Sequence, residues 1–465
     1  MATNPSDRPA AVLVSVQLPD VEDVDHAADL AELRRLVDTL GYDVIATVSQ
    51  KRAAISAAAV LGEGKLRELS DLTGGSGEIP SGAPAKKDKA RARRAPEESE
   101  EVEDDHDPDV IEDWGGPPPA PPRKAAHVIV DHEISPSQAR NLERATGAAV
   151  LDRTGVIVEI FHRHARSREA KLEVEIARLN YVAPRLREGA GGADRQRGGI
   201  GGKGAGESAL ELDRRKIRDR IAELREELDA IKKEHDVRRA HRKDARRVAL
   251  CGYTNAGKSS LMRALTASEV LVADKLFATL DTTVRALQPE VRPRVLVSDT
   301  VGFIKKLPHD LVASFRSTLD EALEASLLLY VADASDPTFR SQLEVTRSVL
   351  GEIGAHSVPS RLLLNKADRL DDEARAALAL EFPDAILLSA KRPADVAALR
   401  DTIVAFFEAA MIDGEVFVPY AKQKMVSEVY EVARVVSEEY DEAGARLKVR
   451  VHPAALARLE RMLAR

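Results

Sequence analysis

Residues 248–265 read VALCGYTNAGKSSLMRAL, an apolar run that leads into two spaced glycines and then into a helical pattern. Apolar residues lead into Gly252, four residues separate it from Gly257, and Lys258 and Ser259 follow. The spacing is that of a P-loop, whose backbone N–H groups wrap phosphates while the lysine reaches the β- and γ-phosphates and the hydroxyl ligates Mg²⁺. Because a P-loop joins a strand to a helix, the stretch predicts an α/β nucleotide-binding domain. Its expected phosphate contacts are Gly252, Tyr253, Thr254, Asn255, Ala256, Gly257, Lys258 and Ser259.

Two further motifs predict which base the bound nucleotide carries. Asp368 ends the motif NKAD after an apolar run, and its carboxylate can accept hydrogen bonds from both the ring N–H and the exocyclic amine of guanine. Adenine offers no such donor pair, so the unpaired carboxylate would disfavour ATP. SAK follows one strand later, where the Ala390 amide can meet the guanine carbonyl, and GTP is therefore the expected ligand. The base-side residues are Asn365, Lys366, Ala367, Asp368, Ser389, Ala390 and Lys391.

Two further segments complete a nucleotide switch. In VLVSDTVGF, residues 295–303, Asp299 lies where it can reach Mg²⁺ through water and the Gly302 amide where it can meet the γ-phosphate. In LFATLDTTV, residues 276–284, Thr279 is the expected second Mg²⁺ ligand beside Ser259, with Thr282 and Thr283 as alternatives that spacing does not exclude. We assign catalytic roles to Lys258, Thr279 and Gly302, and nucleotide contacts also to Asp299, Thr300 and Val301.

The residue after Gly302 is Phe303, where Ras-like enzymes have the glutamine that orients water. We therefore expect slow intrinsic hydrolysis, which depends on a group supplied from elsewhere.

The composition is typical of a soluble protein with several domains. The chain has 465 residues, 44% hydrophobic and 31% charged, with a net charge of −8. Its single cysteine, Cys251, excludes an intrachain disulfide, and we interpret it as a small core residue. The apolar runs are too short to span a bilayer and the start lacks the apolar core of a signal peptide, so we expect a cytoplasmic protein.

The chain pattern predicts four domains around one insertion. Residues 1–165 alternate strands and helices as a parallel α/β domain, interrupted at about 73–125 by a Gly/Ser/Pro-rich and highly charged segment predicted to be disordered. Two apolar stripes predict a long antiparallel helical hairpin over 166–245, with a Gly/Arg-rich tip at 188–206. A nucleotide-binding domain over 246–410 and a small α+β domain over 411–465 follow, the latter with a helix expected at 426–443.

Longer segments resemble the HflX family, bacterial ribosome-associated GTPases of the Obg-HflX group within the TRAFAC class of P-loop GTPases. The similar segments are DHEISPSQARNLE (131–143), LDRTGVIVEIF (151–161), ARSREAKLEVEIARLNYVAPRL (165–186), GGIGGKGAGESALELDRRKI (198–217), FATLD (277–281), DTVGFIKKLPHDLVASFRSTLDEA (299–322) and NKAD (365–368). The resemblance extends over nearly the whole chain. Two departures are the insertion and the tip, which reads GGIGGKGAGES where the family usually has GGIGTRGPGET.

The resemblance implies a monomer that docks on the large ribosomal subunit and its rRNA, with no DNA partner. It implies ribosome splitting, rescue or assembly under stress, in the cytoplasm, on ribosomes or peripherally at a membrane. It also implies Mg²⁺ ligation by Ser259 and Thr279 and a first switch formed by Phe277, Ala278, Thr279, Leu280 and Asp281.

Local charge independently favours an RNA partner, although the chain is acidic overall. Cations concentrate at 162–168, at 238–247 and in the tip, where glycines allow close approach to phosphates and bases. The alternative is that these cations are ordinary solvated charges on a pair of helices. The predicted rRNA contacts are Arg195, Arg197, Gly198, Gly199, Gly201, Gly202 and Lys203.

Two other functions remain open from the sequence. One is a non-catalytic ribosome-binding or anti-association factor in which nucleotide only sets the conformation. The other is a GTPase of tRNA modification or membrane transport, which the lack of a transmembrane region and of a C-terminal cysteine motif disfavours.

Overall fold

The structure, a computed structural model, describes residues 8–79, 123–186, 209–240, 246–267, 276–277, 283–306 and 321–464. The chain divides into two compact units. The first comprises Met1–Glu22 and Gly41–Arg153, and the second comprises Asp23–Leu40 and Thr154–Arg465. The second unit therefore includes helix α1, Asp23–Thr39, which comes early in the chain.

The first unit is built on a parallel sheet in the order β2-β1-β3-β4. Its strands are β1 (Ala10–Gln17), β2 (Asp43–Lys51), β3 (His127–Val130) and β4 (Ala149–Asp152), and its helices are α2 (Glu63–Thr73) and α3 (Pro136–Thr146). Every residue of β1 is buried, as expected for an inner strand of a parallel sheet. The strand–helix–strand segment after the insertion thus completes the sheet begun before it, which confirms the predicted parallel α/β architecture.

The edges of the predicted insertion belong to this core. Gly77 N donates to Ala145 O at 2.9 Å, and Ala125 N donates to Leu72 O at 2.9 Å. Gly75 lies so close to α3 that an added Cβ would fall 2.2 Å from Ala145 O, which only glycine permits. Composition placed these residues in the insertion, whereas in the structure Gly75 and Gly77 pack closely against the core. Positions 80–122 of the insertion lie outside the described residues.

The helical region that follows consists of α4 (Arg153–His164), α5 (Arg168–Val182) and α6 (Ala209–Ala240). Arg168, at the start of α5, donates to Glu227 in the second half of α6, as expected for an antiparallel pair. The two predicted apolar stripes meet in one cluster that includes Leu172, Ile176, Ile221, Leu224 and Leu228. Helix α5 is shorter than predicted because Pro184 has no N–H to continue it, and a single 3-10 turn over Ala183–Arg185 follows.

The nucleotide-binding domain is a mixed six-stranded sheet in the order β10-β9-β8-β5-β7-β6, in which only β6 runs antiparallel to its neighbour. Its strands are β5 (Arg246–Gly252), β6 (Thr283–Ala286), β7 (Val295–Asp299), β8 (Leu327–Asp333), β9 (Ser360–Asn365) and β10 (Ile386–Leu387). The described helices around it are α7 (Lys258–Thr266), α8 (Phe339–Glu352), α9 (Asp372–Glu381) and α10 (Pro393–Glu408). The P-loop therefore follows an inner strand, at the carboxyl edge of the sheet.

The C-terminal residues form an antiparallel sheet in the order β11-β13-β12 with two helices. The elements are β11 (Ile412–Pro419), α11 (Met425–Val432), β12 (Ala433–Tyr440), β13 (Gly444–Val451) and α12 (Pro453–Ala464). The α+β class is confirmed, but the helix predicted over 426–443 is wrong. It ends at Val432, and the next eight residues form β12, which pairs with β13 with a bulge between Val435 and Ser437. The β-branched residues Val435 and Val436 and the alternating burial suit a strand.

A buried ion pair lies at the carboxyl ends of β3 and β4. Arg153 Nη1 is 2.8 Å from Asp131 Oδ1, and both side chains are only 2% exposed. The pair is desolvated on both sides, so removing one charge deprives the other of this ion pair in the interior, where water cannot replace it.

We expect Asp131→Asn to lower the free energy of unfolding by about 3–5 kcal/mol, because the Arg153 guanidinium would lose its counter-charge. The matched control is Asp43→Asn at the exposed Arg123–Asp43 pair, for which we expect less than about 1 kcal/mol. Urea unfolding of both variants, followed by circular dichroism, measures the difference. Equal losses in the two variants would contradict the importance of burial.

Candidate functional site

The phosphate loop owes its shape to two glycines. Gly257 has φ +96°, and an added Cβ would fall 2.2 Å from Asn365 Nδ2. A Cβ on Gly252 would fall 2.2 Å from Val331 O on the neighbouring strand β8. Larger residues are excluded at both positions, so the glycine spacing noted in the sequence reflects a close approach of backbone to its surroundings.

Lys258 begins α7 and is buried within the loop. Its Nζ donates to Gly252 O at 3.0 Å and to Tyr253 O at 2.7 Å. Burial lowers the pKa of the Lys258 ammonium to about 8, while the Asp299 carboxylate acts in the opposite direction. A buried cation that carbonyl groups hold in place can bind an anionic phosphate favourably.

The hydroxyl groups of the loop fit phosphate and magnesium. Ser259 Oγ donates to Asp299 Oδ2 at 2.7 Å, which brings together two oxygen donors of the kind that Mg²⁺ prefers. Within the described ranges, no group of three His, Cys, Asp or Glu residues is arranged to hold a metal. Thr254 Oγ1 is buried without a hydrogen-bond partner in the described structure. Buried polar groups normally have a partner, so this oxygen is available to a bound ligand.

The segment after β7 lies directly on the P-loop. Gly302 is so close that an added Cβ would fall 3.1 Å from Lys258 Nζ and 2.9 Å from Thr254 Cγ2. Phe303 is only 3% exposed, and its backbone bridges to the P-loop. The Phe303 ring is thus packed inside the protein, at the position where Ras-like enzymes orient water.

The two base-side motifs meet at the same edge of the sheet. Asn365 joins them to the P-loop, since its Nδ2 donates to Ala256 O at 2.9 Å and its Oδ1 accepts from Ala390 N at 3.1 Å. Asp368 Oδ1 accepts from Ser389 Oγ at 2.6 Å, and this hydrogen bond is the main reason why the pKa of the Asp368 carboxyl is lowered. The carboxylate is therefore ionised and fixed, as recognition of two guanine donors requires.

Two supporting carboxylates were not foreseen from the sequence. Asp333, at the end of β8, lies 2.6 Å from Lys366 Nζ, and Asp395 accepts from Ser389 N at 2.8 Å. Each orients a residue of the base-side motifs. The only hint was the placement of Asp333 at a strand end, beside the end of β9.

The first switch is described only in part. Phe277 is buried with φ +55°, and its ring meets Phe161 of α4 edge-on at 4.5 Å between centroids. Ala278, Thr279, Leu280 and Asp281 lie outside the described residues, as do Thr282 and the tip residues Arg195–Lys203. Thr283 begins β6, opposite Asp299.

Cys251 lies in β5, immediately before the P-loop. Its side chain is fully buried, and burial raises the pKa of the thiol to about 12. The interpretation of this residue as part of the core is confirmed.

Comparison with known proteins matches most of the chain. A family described as 50S ribosome-binding GTPase matches residues 247–366, GTP-binding GTPase Middle Region matches 164–242, and GTP-binding GTPase N-terminal matches 27–77 and 120–162. The GTPase HflX of Gluconacetobacter diazotrophicus is 66% identical over 98% of both chains. That of Escherichia coli is 34% identical over 94% of this chain and 91% of its own.

The chain belongs to the HflX family of GTPases. It is therefore a GTP-binding GTP hydrolase from a family of ribosome-binding GTPases, and the alternative of a non-catalytic factor is not supported. The N-terminal HflX model leaves 78–119 unmatched, in agreement with an insertion there. A solved GTP-binding protein from Sulfolobus solfataricus, in complex with GDP, is 22% identical with a TM-score of 0.41, over 85% of this chain and 98% of that one.

Among the helices in the described parts of this HflX-family chain, none has the length and apolar character needed to cross a membrane.

We expect Asp368→Asn to weaken GDP binding by about a hundredfold, because the fixed carboxylate that accepts two guanine donors becomes partly a donor itself. Binding of xanthosine diphosphate should improve, since xanthine offers a carbonyl where guanine has an amine. Competition titrations with both nucleotides measure the ratio. Asp372→Asn, an exposed carboxylate in α9, is the control, and unchanged guanine preference in Asp368→Asn would refute the assignment.

Proposed function

We propose that this chain hydrolyses GTP as a switch on the large ribosomal subunit, where it splits or rescues ribosomes or acts in their assembly under stress. The observation that carries the GTP assignment is the cluster around Asn365, which ties the P-loop to the guanine-side residues Ala390 and, through Ser389, Asp368. The ribosomal part is supported by the family description, 50S ribosome-binding GTPase, for residues 247–366.

In this proposal the P-loop amides and Lys258 bind the phosphates. Ser259 and Thr279 would ligate Mg²⁺, with Asp299 acting through the Ser259 hydroxyl or a water. Mg²⁺ bound there would neutralise charge that develops on the β- and γ-phosphates. The Gly302 amide would donate to the γ-phosphate, since the Gly302 backbone lies beside Lys258.

Turnover should depend on the ribosome. Phe303 is a buried ring that has no hydrogen-bonding group to hold the attacking water. We therefore propose a slow intrinsic rate that rises when the large subunit completes or reorders the site.

The hairpin would provide the contact with rRNA. Its tip carries Arg195, Arg197 and Lys203 among the glycines Gly198, Gly199, Gly201 and Gly202, and cations of this kind bind phosphates while glycines allow close approach. The 32 residues of α6 give that arm a length of about 48 Å, so the tip can act far from the nucleotide. We propose that the chain binds as a monomer.

We expect Lys258→Ala to reduce GTP hydrolysis by about a hundredfold or more and to weaken GTP binding, because the phosphate charge loses its buried cation. Phosphate release under excess GTP measures the rate. Arg263→Ala, which removes an exposed cation from the same helix, should leave turnover close to that of the parent. Normal turnover without Lys258 would show that a different loop performs the chemistry.

We expect alanine at Arg195, Arg197 and Lys203 together to weaken co-sedimentation with purified large subunits and to flatten its salt dependence. Each lost phosphate contact removes about 0.7–0.9 from the slope of log affinity against log salt. Basal hydrolysis should persist, since none of these three residues belongs to the proposed nucleotide site.

The matched control for the tip replaces Arg214, Lys216 and Arg220 of α6, which removes the same charge outside the tip. Equal losses of subunit binding in the two triple variants would show that binding depends on net charge and not on the tip. Normal subunit binding by the tip variant would leave the tip as a linker.

A further inference from the structure

Helix α1 contacts three segments of the nucleotide-binding domain, all within the second compact unit. Glu32 contacts Tyr253 of the P-loop, Asp29 contacts Lys306, and Thr39 Oγ1 accepts from Leu276 N at 3.3 Å. These three segments are the P-loop, the stretch after Gly302 and the residue that precedes the first switch. Helix α1 is therefore in contact with the P-loop and with residues next to both predicted switch segments.

The central contact is a buried hydrogen-bond relay. Tyr253 Oη donates to Glu32 Oε1 at 2.5 Å and accepts from Lys305 N at 2.6 Å. Glu32 is 8% exposed and Tyr253 is 4% exposed. A carboxylate polarises the phenol that it accepts from, so the phenol oxygen becomes a better acceptor for the Lys305 amide.

The relay reinforces a backbone bridge on either side of Tyr253. Phe303 N donates to Gly252 O at 3.1 Å, and Thr254 N donates to Phe303 O at 2.8 Å. The segment from Gly302 to Lys305 is therefore attached to the P-loop at three points, and only the outermost point depends on α1. Gly302, the first residue of the segment, is held beside Lys258 Nζ, where the contact with a γ-phosphate is expected.

The surrounding ion pairs are weaker candidates for this attachment. Lys306 Nζ lies 2.8 Å from Asp29 Oδ2, but the lysine is 43% exposed. Lys305 Nζ is 3.8 Å from Asp25 and 3.9 Å from Asp29, too far for a hydrogen bond. Solvent screens such pairs, whereas the relay through Tyr253 is shielded from water.

We propose that Glu32 is a positioning residue for γ-phosphate recognition: through Tyr253 Oη it fixes the backbone from Gly302 to Lys305 against the P-loop. The inference rests on the phosphate site proposed above. GDP has no γ-phosphate, so its affinity does not depend on this segment. By thermodynamic linkage, if the α1 contact raises the affinity for a γ-phosphate by some factor, a bound γ-phosphate stabilises the α1 contact by that same factor.

The test compares a non-hydrolysable GTP analogue with GDP on the full-length chain in the presence of Mg²⁺. Tyr253→Phe keeps the packing of the ring and removes the relay, and we expect it to weaken analogue binding by about tenfold. Glu32→Gln should act in the same direction by a smaller factor, because an amide oxygen accepts without a charge. For Glu32→Gln, which lies outside the P-loop, GDP affinity should stay within about twofold of the parent. Tyr253 belongs to the P-loop, but its phenylalanine variant keeps the backbone and the ring, so any loss of GDP affinity there should be much smaller than the loss of analogue affinity.

The double variant decides whether Glu32 acts through Tyr253. Adding Glu32→Gln to Tyr253→Phe should change analogue affinity no further, since the carboxylate has then lost the group through which it acts. Asp23→Asn removes an exposed carboxylate from the same helix and is the control, with both affinities at parental values. Thermal melting of each variant confirms that it is folded, and Tyr253→Phe carries the test if Glu32→Gln unfolds.

Equal losses of GDP and analogue would assign Glu32 a merely structural role and overturn the proposal. Unchanged analogue affinity, or additive effects in the double variant, would overturn it as well. Failure of the parent chain to bind GDP would instead overturn the phosphate site itself. The two failures are therefore distinguishable by the GDP titration of the parent.

Discussion

The carboxamide of Asn365 holds the two halves of the nucleotide site together. It donates to the P-loop carbonyl of Ala256 and accepts from the amide of Ala390, so one planar group fixes the distance between phosphate and base recognition. The approach is possible only because Gly257 has no side chain. A ligand that must be gripped at both ends needs this fixed distance, since a flexible site would lose binding free energy in ordering itself.

Much of the fold could be predicted because its determinants are local. Glycine spacing, strand-like apolar runs and the order of P-loop, NKAD and SAK predicted an α/β nucleotide-binding domain. In the described structure the residues of these three motifs lie together at one edge of its sheet. The prediction of a helix over 426–443 was wrong beyond Val432. Local preference is a weak guide where an apolar run starts as a helix and the following residues, such as Val435, pair with a neighbouring strand. The predicted insertion included too many residues at its start. Gly75 and Gly77 look like linker residues in the sequence, but in the structure they pack closely against the core.

The contacts that the sequence did not predict are those between distant positions. Glu32 and Tyr253 are separated by 221 positions, and neither belongs to a pattern that names the other. The same holds for Asp131 and Arg153, a buried pair whose members look like ordinary surface charges in the sequence. Motifs reveal groups that touch a ligand, whereas the groups that hold them in place are chosen by packing and emerge only from the structure.

Cys251 has a practical consequence for work on this chain. Its thiol is buried in β5 with a pKa of about 12, so the nucleophilic thiolate is almost absent at neutral pH and the sulfur is shielded from reagents. It is also the only cysteine in the sequence. A maleimide dye or spin label would therefore attach only where a second cysteine is introduced. With pairs of introduced cysteines, distances between α1, the hairpin and the sheet could be followed during turnover without replacing the native Cys251.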